Sequence, residues 1–427
     1  MTRSEQHWSP EFARLAGIAG LLILLVTPIA VRAQTFTVLH NFTGGADGAS
    51  PQAGLTMDRA GNLYGTTGSG GNSNAGTVFR FARKNSTWLL TPLYSFGGGG
   101  DGAFPAARVI IGSDGSFYGS TVRGGLSGGC TGDGCGTIYK LQPSPVSCKT
   151  ALCYWTETVL YRFTEVPDGA YPDGDLIFDQ AENIYGTTYG GGANPAGTVF
   201  ELSPLGGAWT ESVLHSFTGL HNQGGEPHGG VIFDQAGNLY GTVSESGATL
   251  GICCGGVFEL TPSNGGWSES SLYFFQGQSD GGYPYSGVIF DSAGNLYGGT
   301  TTAGSANGGT VFELTPNGGS WTQSTLYGLS GPGSDGAEVG PFARLTMDSA
   351  GNLYGTTFND GAYNQGSIFK LTPSNGGWIY TDLHDFTGGD DGANSYSNVV
   401  IDADGNLYGT AWEGGAYSKG VIWEITP

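Results

Sequence analysis

Apolar residues in this chain come in short clusters rather than at helical spacing. Trp209-Thr210-Glu211-Ser212-Val213-Leu214-His215-Ser216-Phe217 is one run rich in β-branched and aromatic residues. A Gly-rich stretch separates it from Val231-Ile232-Phe233-Asp234, and Gln235-Ala236-Gly237-Asn238 has the composition of a turn. Leu239-Tyr240-Gly241-Thr242 follows. After a second Gly-rich stretch comes Gly256-Val257-Phe258-Glu259-Leu260, closed by Thr261-Pro262. Runs this short, bounded by turn residues and without a 3.6-residue period, predict four β-strands.

The pattern recurs. Gly61-Asn62-Leu63-Tyr64-Gly65 is the first of seven related phrases, and the later ones centre on Tyr118, Tyr185, Tyr240, Tyr297, Tyr354 and Tyr408. Successive tyrosines are 54, 67, 55, 57, 57 and 54 residues apart. Four antiparallel strands per repeat, seven times over, predict an all-β fold, a seven-bladed β-propeller spanning residues 34–427. No repeat could bury both faces of its sheet alone. The last repeat stops at a third strand, Val421-Ile422-Trp423-Glu424-Ile425. An unmatched outer strand, Phe36-Thr37-Val38-Leu39-His40-Asn41-Phe42, sits at the other end and parallels Val213-Leu214-His215-Ser216-Phe217. Gln34 takes the place of the tryptophan that starts the other six outer strands (Trp88, Trp155, Trp209, Trp267, Trp321 and Trp378). The N-terminal strand is therefore expected to complete the C-terminal blade.

Two stretches carry a family likeness: Asn62 to Thr67 with Gly76-Thr77-Val78-Phe79, and Asn295 to Gly298 with Gly309-Thr310-Val311-Phe312-Glu313-Leu314-Thr315-Pro316. They resemble the GloVer tandem repeat of exported bacterial proteins. The resemblance implies export. It implies no activity and no catalytic residues.

The segment before the first strand reads as a leader. Arg3 and Arg14 precede an apolar run from Leu15 to Val31, and Val31-Arg32-Ala33 offers a cleavage site before Gln34. Residues 1–33 are expected to be a signal peptide, leaving no membrane span after cleavage. Glycine is 80 of 427 residues, but aromatics at 12% argue for a packed core over a disordered chain. A net charge of −21 repels phosphate backbones and excludes nucleic acid as a partner class. The expectation is a monomer that is secreted, at the cell surface or periplasmic, with a glycan, peptide or cell-surface partner.

Cysteines mark the departures from the repeat. Cys130 and Cys135 sit in a longer second-to-third strand loop, Cys253 and Cys254 in another, and Cys148 and Cys153 in a longer third-to-fourth strand link. For an exported chain this predicts disulfides, with 15 pairings open and the local pairs favoured over a metal site. Two of the insertions share a face, the top, with the fourth-to-first strand loops. Elaborated loops on one face of a rigid scaffold are where binding resides.

Top loops also carry a recurring Asp-Gly at Asp47, Asp101, Asp168, Asp280, Asp335 and Asp391, with Gly225-Glu226 in the fourth blade. Such carboxylates could hold Ca²⁺, but turn formation accounts for the repetition. Asp402-Ala403-Asp404-Gly405-Asn406 resembles a calcium loop yet aligns with the turn at Asp234. No cofactor is expected. His40, His215 and His384 fill a slot occupied elsewhere by Tyr94, Tyr161, Tyr273 and Tyr327, so they read as packing residues, whereas His221 and His228 lie on top loops. Deviations from the repeat at the innermost strands place Arg108, Asp173, Asp175, His228, Tyr285, Phe342, Arg344, Tyr396 and Asn398 around the channel mouth. Charge and aromatic surface together suit a polar organic ligand such as a glycan or a peptide terminus. The densest titratable group, Asp173, Asp175 and His228, is the candidate for a polysaccharide lyase or hydrolase site. Fold alone licenses no enzymatic reading.

Overall fold

Each repeated Asn-x-Tyr phrase folds onto an aspartate four residues before its asparagine. In the computed structural model, Asp58 Oδ1 accepts from the Ala60 and Asn62 amides, while Oδ2 accepts from Asn62 Nδ2 and the Tyr64 hydroxyl. Asp179, Asp234, Asp291, Asp348 and Asp402 repeat the arrangement with Tyr185, Tyr240, Tyr297, Tyr354 and Tyr408. Four donors on one carboxylate lock the turn between the first two strands of a blade. The calcium-like segment is thus one of these hairpins, with both Asp402 oxygens engaged by Asp404, Asn406 and Tyr408. The second blade differs: Gly112 stands where the aspartate would be, and Asp114 bonds Ser116 and Lys140 instead.

The structure describes residues 34–125, 129–130, 132–143, 155–220, 223–247, 254–330, 340 and 342–427. Cys148, Cys153, Cys253, His221, Asp335 and the leader lie outside them. The described residues form seven four-stranded antiparallel sheets. One blade runs Ile177–Phe178, Ile184–Thr188, Thr198–Leu205 and Ala208–Ser216 in spatial order. The innermost strands are only two residues long, shorter than the apolar runs that predicted them. No helix among the described residues is long and apolar enough to cross a membrane.

The ring closes as the termini predict. Thr35–Asn41 pairs antiparallel with Val421–Thr426 in the sheet that holds Leu407–Ala411 and Val400–Ile401. Register shows that it is a true outer strand. Every outer strand carries one extra, unpaired residue against its partner at the same place, and it is always leucine: Leu39, Leu93, Leu160, Leu214, Leu272, Leu326 and Leu383. The bulge re-aims that leucine so that it packs against the core between blades. Each core cluster spans two neighbouring blades, as where Phe42, Tyr408 and Ile422 meet Leu55, Leu63 and Phe79.

Top-loop aspartates are structural too. Asp101, Asp168 and Asp280 accept from the hydroxyls of Tyr94, Tyr161 and Tyr273, seven residues earlier, and from a backbone amide four residues earlier. His40 and His384 fill the tyrosine slot with bonds of 3.2 and 3.0 Å to Asp47 and Asp391. His384 also stacks on Phe36, with the ring centroids 3.7 Å apart, whereas His40 meets Phe42 edge-on. In the fourth blade the aspartate's place is taken by Gln223, which accepts from Thr218 Oγ1, rather than by Gly225-Glu226. The glycine after the aspartate is required. A Cβ on Gly48, whose φ is +92°, would lie 2.1 Å from Thr67 Oγ1.

Candidate functional site

A repeated backbone device aims side chains at the axis. Ser50, Phe104, Tyr171, Glu226, Tyr283 and Asn394 hold left-handed φ angles of 57, 58, 62, 56, 57 and 54°. Five of them precede a proline: Pro51, Pro105, Pro172, Pro227 and Pro284. Each such proline packs on a glycine at the start of the third strand of the preceding blade, as Pro105 does on Gly76. In the short stretch that leads from there into the two-residue innermost strand, alternate residues face the channel.

That alternation builds two rings. Gln52, Ala106, Asp173, His228, Tyr285, Phe342 and Tyr396 form the upper one; Gly54, Arg108, Asp175, Gly230, Gly287, Arg344 and Asn398 form the lower. Both line a cavity of about 90 Å³. The upper ring opens into a mouth of about 360 Å³ that adds Phe104, Val122, Arg123 and Tyr189. On the other side, Arg108, Arg344 and Asn398 border a cavity of about 530 Å³ with Met57, Phe290, Met347 and Ile401. The sequence places all of these residues at one mouth; the structure sets them at two depths.

The upper ring is aromatic around much of its circumference. Tyr189 stacks on His228 at 4.7 Å, and Tyr171 stacks on Tyr189 at 5.1 Å. His228 then leads to Tyr285, Phe342, Tyr396 and Trp412 with centroid spacings of 4.9, 5.3, 5.1 and 5.7 Å. Phe358 packs under Tyr396 at 4.7 Å. All of these rings are half-buried.

The titratable trio divides. His228 Nδ1 lies 2.6 Å from Asp173 Oδ2, and Nε2 lies 3.9 Å from Glu226 Oε2. Burial disfavours the imidazolium, but the two carboxylates outweigh it and raise the His228 pKa to about 9. The ring is therefore charged at neutral pH and acts as a donor. Asp173 Oδ1 is buried without a partner. Asp175 belongs to the lower ring instead. Its Oδ2 accepts from Arg108 Nε at 2.8 Å and Nη2 at 2.7 Å, and its Oδ1 from the Arg108 amide at 3.2 Å. Burial pushes the Asp175 pKa up, yet Arg108 and Arg344 hold it below the ordinary carboxylate value.

Tyr171, Tyr189, Phe358, Trp412, Arg123 and Glu226 are absent from the sequence-derived site. Tyr189, Phe358 and Trp412 follow the second strand at the position of Gly68, Val122 and Ser244, so departure from the repeat there was the available signal. The Cys130 insertion borders the same face. Cys130 and Cys135 are disulfide-bonded, and a cavity of about 520 Å³ runs from Cys130 past Asp133 to Phe104 and Arg123. Cys254 is also disulfide-bonded, to a partner outside the described residues. No group of His, Cys, Asp and Glu among the described residues is arranged to hold a metal ion.

The sequence profile described as the Gloeobacter/Verrucomicrobia repeat matches residues 25–157, 127–267 and 243–427. No curated protein matches the chain. Among solved structures, a polysaccharide lyase of the PL25 ulvan lyase family superposes with a TM-score of 0.52 at 11% identity, covering 88% of this chain and 92% of that one. A protein provisionally assigned as a 6-phosphogluconolactonase from Bacteroides uniformis ATCC 8492 gives 0.49 at 17% identity, over 82% and 88%. A protein of unknown function from Dyadobacter fermentans DSM 18053 gives 0.45 at 11%, over 92% and 99%. At these identities the likeness is one of fold.

Proposed function

The chain belongs to the Gloeobacter/Verrucomicrobia repeat family, and on that footing we propose that it is an exported binding propeller whose upper mouth takes a glycan or a peptide. The observation that carries the reading is the arc from Tyr189 through His228, Tyr285, Phe342 and Tyr396 to Trp412. Half-buried ring faces offer apolar contact, while Asp173, Glu226 and charged His228 offer directional hydrogen bonds, the mixture that binds polar organic molecules. A disulfide at Cys130–Cys135 fits an oxidising compartment, and the leader at residues 1–33 supplies the route.

The binding role is favoured over catalysis by the placement of the acids. A glycosidase-type mechanism calls for two cooperating carboxyl groups. Here Asp175 is held by Arg108, and Asp173 by His228. The test is a glycan array with a peptide pool, followed by calorimetry on the hits. Saturable binding without product formation is expected, weakened about tenfold or more, or about 1.4 kcal/mol, by Tyr285→Ala. Cleavage of a bound polysaccharide that disappears in His228→Ala would replace this reading with the lyase or hydrolase one. Affinity unchanged in Tyr285→Ala would move the binding site elsewhere.

A further inference from the structure

The lower ring holds more positive charge than the protein neutralises. Arg108 claims Asp175 through two guanidinium nitrogens at 2.7 and 2.8 Å. Arg344 points at the same carboxylate, but its Nη2 stays 3.9 Å from Asp175 Oδ2, beyond hydrogen-bond distance. No other acceptor among the described residues meets its five N–H donors. Its side chain is 23% exposed, where it borders the wide cavity on the other side. Burial and the neighbouring Arg108 both lower the hold of Arg344 on its proton. Two guanidiniums thus share one carboxylate at the axis of a chain whose net charge is −21.

We propose that the lower ring is an anion site that seats a carboxylate between Arg344 and Arg108, and that the ligand of the upper mouth is a glycan bearing uronic acid. The proposal deepens the top-face reading, and its glycan part rests on it. Space and shape agree. The cavity joining the rings, about 90 Å³, equals roughly three water volumes, room for a carboxylate but not for a sugar ring. The mouth above it, about 360 Å³, accommodates the ring against Tyr285 and Phe342. Gly230 and Gly287 bring no side chain into the lower ring, and at Gly54 the space a Cβ would occupy holds the Asn398 amide, 1.6 Å away. Asn398 Oδ1 is buried without a partner, and a half-turn of the amide presents Nδ2 as a further donor. A planar carboxylate matches the fork of a guanidinium. A peptide is less well suited, because no strand edge lines the mouth for main-chain pairing among the described residues.

The first test needs no glycan. Arginine side-chain Nε–Hε resonances of the intact protein are followed while acetate or inorganic phosphate replaces chloride at constant ionic strength. The Arg344 resonance is expected to shift saturably with acetate, and Arg344→Gln to abolish saturable perturbation of Arg108. Absence of a saturable shift in the wild type with acetate overturns the carboxylate site; a response to phosphate alone overturns its assignment to carboxylate. The second test compares trigalacturonate with its methyl ester by calorimetry. The acid is expected to bind about tenfold more tightly, and Arg344→Gln to reduce that preference below about twofold. Equal binding of acid and ester overturns the proposal while leaving the top-face reading intact. Loss of both ligands' binding in Tyr285→Ala, with the acetate response retained, separates the two sites. Binding of a peptide C-terminus in preference to trigalacturonate overturns the glycan assignment.

Discussion

At the residue scale, one seam position shows how a repeat tolerates an unfavourable choice. The residue two after each outer-strand tryptophan packs beside the His/Tyr slot of the preceding blade. Phe36 and Tyr380 serve that position by stacking on His384 and Tyr327, at 3.7 and 4.3 Å. Glutamate occupies it in three other blades: Glu269 accepts from Ser271 Oγ, whereas Glu157 and Glu211 each leave Oε1 buried without a partner. Burial first, then Asp101 beside Glu157 and Asp168 beside Glu211, raises both carboxyls to about 7. A carboxyl raised on folding destabilises the protein above its folded pKa, and the penalty is relieved as pH falls toward the unfolded value. Glu157→Gln and Glu211→Gln are therefore expected to stabilise the fold at pH 8, each by on the order of 1 kcal/mol after solvent screening, and so to raise the Tm. The gain should fade between pH 7 and pH 4.5, which calorimetry at pH 8 and pH 4.5 would check. Glutamate here was readable in the sequence; its burial was not, because polarity suggests an exposed strand face.

The element that matters most is the N-terminal strand. Its pairing was legible from the leucine–histidine phrase it shares with residues 214–215, and the bulge at Leu39 shows that the likeness extends to register. If the strand is equivalent to the others, Leu39→Ala and Leu214→Ala should cost similar amounts, about 2–3 kcal/mol by urea unfolding. A cost near zero for Leu39→Ala alone would show that the closing strand is dispensable. Deleting residues 34–41 should destabilise the ring by at least about 5 kcal/mol, since it bares Trp423 and opens a sheet edge. A peptide of residues 34–43 added in trans should restore part of the lost Tm. The inner strands were less legible: the apolar run at 231–234 is four residues long, but only Ile232 and Phe233 pair, because the residues before them face the axis and Asp234 opens the hairpin turn.

For the whole molecule, opposing titrations set a stability window. His228 is raised to about 9 by Asp173 and Glu226 against the effect of burial. Its contribution is complete below the unfolded value of about 6.5 and is lost as pH rises through 9. Burial lowers His40, His215 and His384, so their contribution is present above about 6.5 and is lost as pH falls through their folded values. The turn carboxylates of Asp58, Asp291, Asp348 and Asp402 lie below their ordinary value despite burial, because amide, asparagine and tyrosine donors favour the charged form. They contribute above about 3.9 and lose that support at lower pH. The Tm is expected to peak near pH 6–7 and to fall by pH 9.5, with His228→Gln flattening the alkaline limb. A Tm still rising between pH 7 and pH 9.5 would contradict the His228–Asp173 pairing.

The sequence by itself determined the blade count, the four-strand pattern and the closure of the ring. Each is a local or periodic property that seven near-copies write repeatedly. It also named most of the residues facing the axis, because they are where the copies disagree. Only the tertiary structure decided their depth and partners. Asp173 and Asp175 are two residues apart in the chain, yet one meets His228 and the other meets Arg108, because neighbouring blades present different side chains to each ring. Contacts across the channel join residues from different repeats, and no period along the chain encodes which of them meet.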